Sequence, residues 1–417
     1  EPSPAIVHTS VESASTEEAV NEVEMLQEHV KLLEQNIVQL QEQVQRLTRQ
    51  QVGMNQSIGV LAKSQGLRTQ NTPIDTSALK VDPTYNRAYQ QFQQKKYNQA
   101  IHTLRPFANG GDGSGNGVFA QRFDATGTPA GSEWRVNPAT RDDQLQPTLT
   151  GLADGGFVIA YTEENGDGNS YGTFFIRYDA AGVPQGAPVL INENPAGGGT
   201  AFTTDNQSFP QLSALAGGGF VATWHSYVQD GSAWGIYARL FDNSGAPTSD
   251  SFQVHTTAPG SQERPDVAAL ANGDFVIVWT SDNDPGSDAE GVFMQRFTAA
   301  GVPVGGETLV NDGSSASHYD AYARVTALDT GGFVVAWEAG DDWGRGFYIQ
   351  QYDAAGSKVD GPQRVSQNGT SDQSYGDVEG LPGGRFVVAW SATNDDAAGA
   401  WGVYQNVFGA PGSVLPS

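Results

Sequence analysis

The chain has 417 residues, no cysteine and a formal charge of −25 at pH 7. This length is too great for one compact core, so two or three structural units are expected. The lack of cysteine excludes disulfides, thiolate metal sites and cysteine nucleophiles. Nearly all of the negative charge falls after residue 107, which excludes nucleic acid as a partner of that region. No apolar segment reaches the ~18 residues that membrane insertion requires.

The first unit is predicted to be a coiled coil. Residues 1–20 are polar and are expected to form a disordered tail, and a heptad pattern runs through 21–65. Its a positions are Val23, Val30, Ile37, Val44, Gln51 and Ile58, and its d positions are Leu26, Leu33, Leu40, Leu47, Met54 and Leu61. We expect these residues to join two or three copies of the chain, because valine-rich a layers do not discriminate between dimer and trimer.

A linker at 66–81 precedes a predicted helical hairpin at 82–107. The spacing Ala88, Phe92, Tyr97, Ala100 and Leu104 resembles one tetratricopeptide unit. Together with the coil, these residues resemble the N-terminal part of the periplasmic coordinator of the Tol-Pal system, which forms trimers. In that family several tetratricopeptide units follow, whereas here glycine-rich sequence begins at Asn109. The departure suggests a fusion, natural or engineered.

Two phrases recur through the remaining sequence, 108–417. A Gly-Gly-Phe-Val-x-Ala-Trp phrase occurs five times, at 155–161, 218–224, 273–279, 331–337 and 383–390. A Gly-Val-Phe-x-Gln-Arg-Phe phrase alternates with it and occurs six times, beginning at 117, 172, 235, 291, 346 and 402. Four short strands can be drawn in each unit of about 55 residues, the size of a propeller blade. The predicted fold class is therefore mainly β, with about five four-stranded, propeller-like repeats.

The second phrase, as in 118–127 and 293–297, resembles repeats of very large secreted bacterial adhesins of the RTX-associated type. The resemblance implies export and interaction with a cell surface or matrix. It implies no chemistry for the repeats.

Acidic loops follow the first phrase and are candidate calcium sites, since Ca²⁺ prefers oxygen ligands on flexible loops. The candidate ligands are Asp112, Asp167, Asp282, Asp284, Asp288, Asp341, Asp342, Asp395 and Asp396. None of these loops has the full EF-hand spacing. Aspartate and glycine also form turns, and this second interpretation is the preferred one.

Tryptophans outside the strand phrase are candidate contacts for a glycan. Trp234, Trp343 and Trp401 lie in the acidic-loop regions, where an aromatic ring stands beside acceptor carboxylates. The aromatic residue that ends the first phrase is expected to lie in the core between repeats, because it falls at one fixed place in each.

These observations together predict a non-enzymatic, exported bacterial protein located in the periplasm, at the cell surface or outside the cell. A coiled-coil stalk would present acidic heads that bind a glycan or a surface protein. Several near-equivalent acidic loops argue against one catalytic pair of carboxylates. The alternatives are a scaffold of the cell envelope that binds proteins, and a composite chain with no single role.

Overall fold

The computed structural model describes residues 100–107, 115–124, 127–168, 170–192, 206–256, 260–282, 291–311, 320–341, 344–365, 373–393 and 401–409. All of them lie in one compact unit, Val81–Ser417. These residues form 22 strands and no helix, which confirms the mainly-β prediction. No described segment has the length and hydropathy of a membrane-spanning helix. The predicted tail, coiled coil and linker lie outside the described residues.

The strands form six antiparallel sheets in chain order. The first sheet contains β1 (Ala100–Phe107), β2 (Gly117–Phe123) and β3 (Trp134–Arg135). The second contains β4 (Gln144–Gly151), β5 (Phe157–Glu164), β6 (Tyr171–Tyr178) and β7 (Val189–Leu190). The third contains β8 (Gln207–Ala214), β9 (Phe220–Tyr227), β10 (Trp234–Phe241) and β11 (Phe252–Gln253).

The remaining three sheets repeat this order. The fourth contains β12 (Gln262–Ala269), β13 (Phe275–Ser281), β14 (Gly291–Phe297) and β15 (Pro303–Leu309). The fifth contains β16 (Asp320–Ala327), β17 (Phe333–Asp341), β18 (Gly344–Tyr352) and β19 (Lys358–Arg364). The sixth contains β20 (Gln373–Leu381), β21 (Arg385–Thr393) and β22 (Trp401–Phe408). The four-stranded unit is thus as predicted, whereas the described residues form six sheets and not about five.

Strand β1 corrects the predicted second helix of the hairpin. Residues 100–107 pair antiparallel with β2, with Leu104 opposite Ala120. In the next four sheets and in the sixth, the strand in this place is the one that carries the Phe-Val-x-Ala-Trp phrase. The edge of β2 would be left open without such a partner, and an open strand edge favours pairing over the local helical pattern.

Successive sheets bury the aromatic end of the recurrent phrase between them. Trp224 packs with residues of the second sheet, Trp279 with the third and Trp337 with the fourth. Trp224 and Trp279 are fully buried. The prediction that these aromatic residues belong to the core between repeats is therefore confirmed.

Hydrogen bonds also join one sheet to the next. The side-chain amide of Asn137 accepts a hydrogen bond from Val118 N in the first sheet (2.7 Å). It also donates to Oε1 of Gln144 (2.7 Å), the first residue of the second sheet. Asn192 repeats the arrangement and donates to Gln207 Oε1 at 3.0 Å. Both asparagines are buried, so these bonds satisfy groups that water does not reach.

The outward face of the sixth sheet is less covered than the same face elsewhere. Val403 in β22 is 81% exposed, whereas its equivalents Val118, Ile236 and Val292 are 0% exposed. In those sheets the following sheet covers the position. Among the described residues no further sheet follows the sixth.

Replacing Asn192 by alanine should destabilise the fold by about 2–4 kcal/mol, because a buried amide of β6 and the Gln207 side chain lose their partner. Chemical denaturation monitored by tryptophan fluorescence would measure the change. Asn272→Ala, in an exposed turn, is the control and should change stability by less than about 0.5 kcal/mol. Equal unfolding midpoints for the two variants would contradict this account of how the sheets are joined.

Candidate functional site

Each first strand of the second to sixth sheets contains a bulge at the same place. One residue there has left-handed backbone geometry, with φ between 52° and 56°. These five bulge residues are Gln146, Phe209, Arg264, Tyr322 and Tyr375. None is glycine, and the left-handed conformation costs such residues roughly 1–2 kcal/mol each. Bulky residues held in this geometry often mark functional sites.

The first strands of neighbouring sheets pack side by side, so the bulge residues come together at one end of these strands. Three of their backbone amides donate hydrogen bonds to the preceding sheet. Phe209 N donates to Gln146 Oε1 at 3.0 Å. Arg264 N donates to His225 Nδ1 at 3.4 Å, and Tyr375 N donates to Glu338 Oε1 at 2.6 Å. The acceptors hold the strained backbone in place.

Glu338 is a buried carboxyl group with one free oxygen. Its side chain is in β17, directly after Trp337, and only 1% of the residue is exposed. No hydrogen-bond partner reaches Oε2 among the described residues. Burial raises the pKa of Glu338, and this effect is opposed by the Tyr375 amide and by three arginines, Arg345, Arg324 and Arg264. A carboxyl group of this kind can hold a proton and release it to a ligand.

His225 occupies the same place in β9 and is held neutral. Burial, followed by the nearby Arg264 charge, lowers its pKa to about 3. Because Nδ1 accepts the Arg264 amide, Nε2 carries the proton and donates to the Ser208 hydroxyl at 2.6 Å. The imidazole also stacks on Trp234, with ring centroids 4.3 Å apart. His225 therefore positions neighbouring groups and carries no charge.

Aromatic rings of the bulge residues lie beside these polar groups. The guanidinium group of Arg264 lies 4.1 Å from the centre of the Tyr322 ring. Tyr322 meets Tyr375 edge to face at 6.4 Å, and Phe209 meets His225 at 5.0 Å. The Tyr375 side is open, because 75% of that residue is exposed. A ligand at this end of the strands would meet the open Tyr375 ring, whose backbone amide is hydrogen-bonded to the buried Glu338 carboxyl.

A second group of charges lies two residues further along the first strands. Asp266 accepts a hydrogen bond from Val325 N at 2.8 Å, and burial raises its pKa to about 6. The charge of Arg324 lowers this pKa and that of Asp377 raises it. Burial also raises the pKa of Glu379, and the charges of Asp377 and Asp266 add to that effect. The charge on this segment of the first strands therefore changes with pH.

Of the three predicted glycan-contacting tryptophans, the structure places Trp234 at this site, against His225 and against Tyr227 at 5.1 Å. Trp343 lies outside the described residues. Trp401 begins β22 opposite Thr393, and only its backbone is described. That any of the three contacts a glycan remains a prediction.

The predicted calcium ligands are described only in part. Asp282 accepts a hydrogen bond from Ser261 N at 2.7 Å and so joins two loop segments. Asp167 lies against Gly172, and Asp341 ends β17 with only its backbone described. The other candidates, Asp112, Asp284, Asp288, Asp342, Asp395 and Asp396, lie outside the described residues. Within the described ranges no group of three or more acidic or histidine side chains could hold a metal ion.

The sequence interpretation missed the bulge residues and Glu338. A usable signal was present: the position after the recurrent phrase changes from repeat to repeat, while the phrase itself hardly changes. The residues at that position are Thr162, His225, Thr280, Glu338 and Ser391. One position that varies among near-identical repeats indicates where a repeat fold becomes asymmetric.

No model of a known protein family matches the sequence, and it has no match among curated proteins. Solved structures do resemble it. A protein of unknown function from Dyadobacter fermentans is 12% identical, with 75% of this chain and 91% of that chain covered and a TM-score of 0.50. An α-L-arabinofuranosidase from Fusarium graminearum is 13% identical, with 74% and 92% covered and a TM-score of 0.47.

A polysaccharide lyase, an ulvan lyase, is 12% identical, with 76% of this chain and 78% of that chain covered and a TM-score of 0.47. At these identities the likeness concerns the fold. The prediction of a non-enzymatic adhesion protein is wrong on this comparison, since the chains that resemble this one include a glycoside hydrolase and a polysaccharide lyase. The prediction treated the repeats as equivalent. Equivalent positions in fact carry different side chains, so a repeat fold can hold one asymmetric site.

Replacing Asp266 by asparagine should stabilise the protein increasingly as the pH rises. A carboxyl whose pKa is raised on folding favours the fold while protonated, and this advantage is lost as the pH rises through about 6. The melting temperature of the variant minus that of the wild type should therefore increase between about pH 4 and pH 7. Parallel melting curves across this range would contradict the assignment.

Tyr375→Asn should be more stable than Tyr375→Val by about 1–2 kcal/mol, because valine tolerates left-handed geometry poorly and asparagine tolerates it well. Tyr375 is mostly exposed, so neither variant loses much buried area. Gln405, exposed in ordinary strand geometry in β22, is the matched control, and there valine should be the more stable. The same order of stability at both positions would count against strain at the bulge.

Proposed function

We propose that the chain is a carbohydrate-active enzyme with a β-propeller fold, which cleaves a glycosidic bond at the bulge end of the first strands. The observation that carries the proposal is the buried Glu338 carboxyl, whose Oε1 accepts the amide of the bulge residue Tyr375 and whose Oε2 has no hydrogen-bond partner among the described residues. Burial favours the protonated form of this carboxyl, which is the form that a general acid needs.

In the proposed step, Glu338 donates its proton to the glycosidic oxygen as the bond from that oxygen to the anomeric carbon breaks. A water molecule adds its oxygen to the anomeric carbon and returns a proton to the carboxylate. One bond of the saccharide and one bond of water are exchanged, and no oxidant or reductant is required.

The aromatic residues supply the binding part of the proposal. The open Tyr375 ring and the adjacent Tyr322 ring offer apolar faces to a sugar ring. Polar side chains of the bulges in other first strands, among them Ser208 and Gln146, add hydrogen-bonding groups at the same end of these strands. A few fixed polar groups beside aromatic rings are the usual composition of a small-molecule site.

The experiment measures release of reducing ends by the full chain from a panel of plant, algal and bacterial polysaccharides. Glu338→Gln keeps the shape of the side chain and removes its proton, so kcat should fall by about 10²–10⁴ with little change in KM. Activity of the wild type should decline as the pH rises through the pKa of Glu338, because the acid must be protonated.

Glu133→Gln, at an exposed position, is the control and should retain wild-type kcat. The proposal is overturned if no polysaccharide of the panel is cleaved, or if Glu338→Gln keeps wild-type activity on one that is.

A further inference from the structure

Arg264 differs from other arginines of this protein in its side-chain hydrogen bonding. Four arginines lie in β2, β6, β10 and β14, strands that carry the second recurrent phrase. Each donates a hydrogen bond to a backbone carbonyl of another segment: Arg122 to Ala181, Arg177 to Asn243, Arg239 to Ile191 and Arg296 to Ala355. Within the described residues no oxygen atom forms a hydrogen bond or an ion pair with the guanidinium group of Arg264. Its contact there is the face of Tyr322.

The backbone of Arg264 shows that its placement has a cost. Its φ of 54° is left-handed, and its amide is fixed by His225 Nδ1. The Tyr322 ring at 4.1 Å orients the guanidinium plane. The left-handed conformation is common to the five bulge residues, whereas a guanidinium group with an aromatic contact and no hydrogen-bonded oxygen among the described residues is particular to Arg264. Such a group can bind an anion.

The surroundings are unusual for this chain. The net charge is −25, yet three arginines, Arg345, Arg324 and Arg264, are close enough to Glu338 to favour its ionised form. Of the acidic residues in the first strands, Asp266 and Asp377 lie two residues beyond the bulge and Glu379 lies four beyond it, whereas Glu263 and Asp320 precede it. A neutral substrate would leave the Arg264 charge unpaired when it displaces water from the site, which is unfavourable.

We propose that Arg264 binds the anionic group of an acidic saccharide, a carboxylate or a sulfate, next to the bond that Glu338 cleaves. The planar guanidinium group matches both anions with two parallel hydrogen bonds. This inference rests on the proposed function, which it extends to the class of substrate.

The experiment compares binding of three oligosaccharide probes to the full chain by titration calorimetry. The probes are an oligouronide, the same oligomer with its carboxyl groups reduced to alcohols, and a sulfated derivative of the reduced oligomer. We expect the charged probes to bind the wild type at least about tenfold more tightly than the neutral one, by the strength of a charge-assisted bidentate pair. The carboxylate and sulfate arms show which anion is preferred.

Arg264→Met should abolish the preference for charged probes, because affinity for these probes should fall much more than affinity for the neutral one. Arg264→Lys keeps the charge without the planar fork and should retain part of the preference. Arg135→Met removes an exposed arginine of β3 and is the control, with wild-type preference expected. Melting curves of all variants establish that they are folded.

Equal binding of neutral and charged probes by the wild type, or a preference that survives in Arg264→Met, would overturn the inference. Binding and cleavage are measured separately, so the two proposals can fail independently. If neutral glycans are cleaved in a Glu338-dependent way without any effect of Arg264, the proposed function stands and this inference fails. If charged probes bind through Arg264 but no polysaccharide is cleaved, the anion-binding role of Arg264 stands and the proposed function fails.

Discussion

The described sheets of this protein are stabilised by the apolar clusters that each pair of successive sheets buries between them. The second strands contain a continuous run of five mostly apolar residues, as in β13, where all seven residues of the strand are buried. A strand of this kind cannot be half exposed without losing about 25 cal/mol for each Å² of apolar surface left in water. Large aromatic residues of these strands fill the space between sheets. The Asn137–Gln144 and Asn192–Gln207 pairs join the first sheet to the second and the second to the third.

The same constraint explains how the strained bulges persist. The five bulge residues lie at the end of the first strands, where the core between sheets has already fixed the backbone on both sides. Three of their amides donate to acceptors on the preceding sheet, as that of Tyr375 does to Glu338. Tight packing can therefore hold an unfavourable φ angle, and the side chains that result are positioned more firmly than loop residues would be.

Much of the fold was predictable because short, recurrent sequence patterns indicate it. The fixed place of Trp224 and Trp279 in successive repeats indicates a core position, and the alternation of two phrases indicates paired strands. β1 was not predictable in this way, since its strand conformation follows from the open edge of β2, which lies beyond a local window. The bulge residues share a backbone conformation although most differ in type. Gln146, Phe209 and Arg264 are each followed by proline and preceded two positions earlier by glutamine, so a local pattern marks three of the five bulges. The other two bulge residues, both tyrosine, lack the proline, and their conformation follows from the pairing of the strands.

One feature of the repeats bears on the history of the molecule. The residues that build the sheets are nearly the same in each repeat, while the position after the recurrent phrase is threonine, histidine, threonine, glutamate and serine in turn. Gene duplication would copy the frame, and later point mutation at these positions would change the chemistry without disturbing the core. The architecture thus separates the residues that form the sheets, which must be kept together, from single positions that can change independently. A new specificity can therefore arise by one substitution.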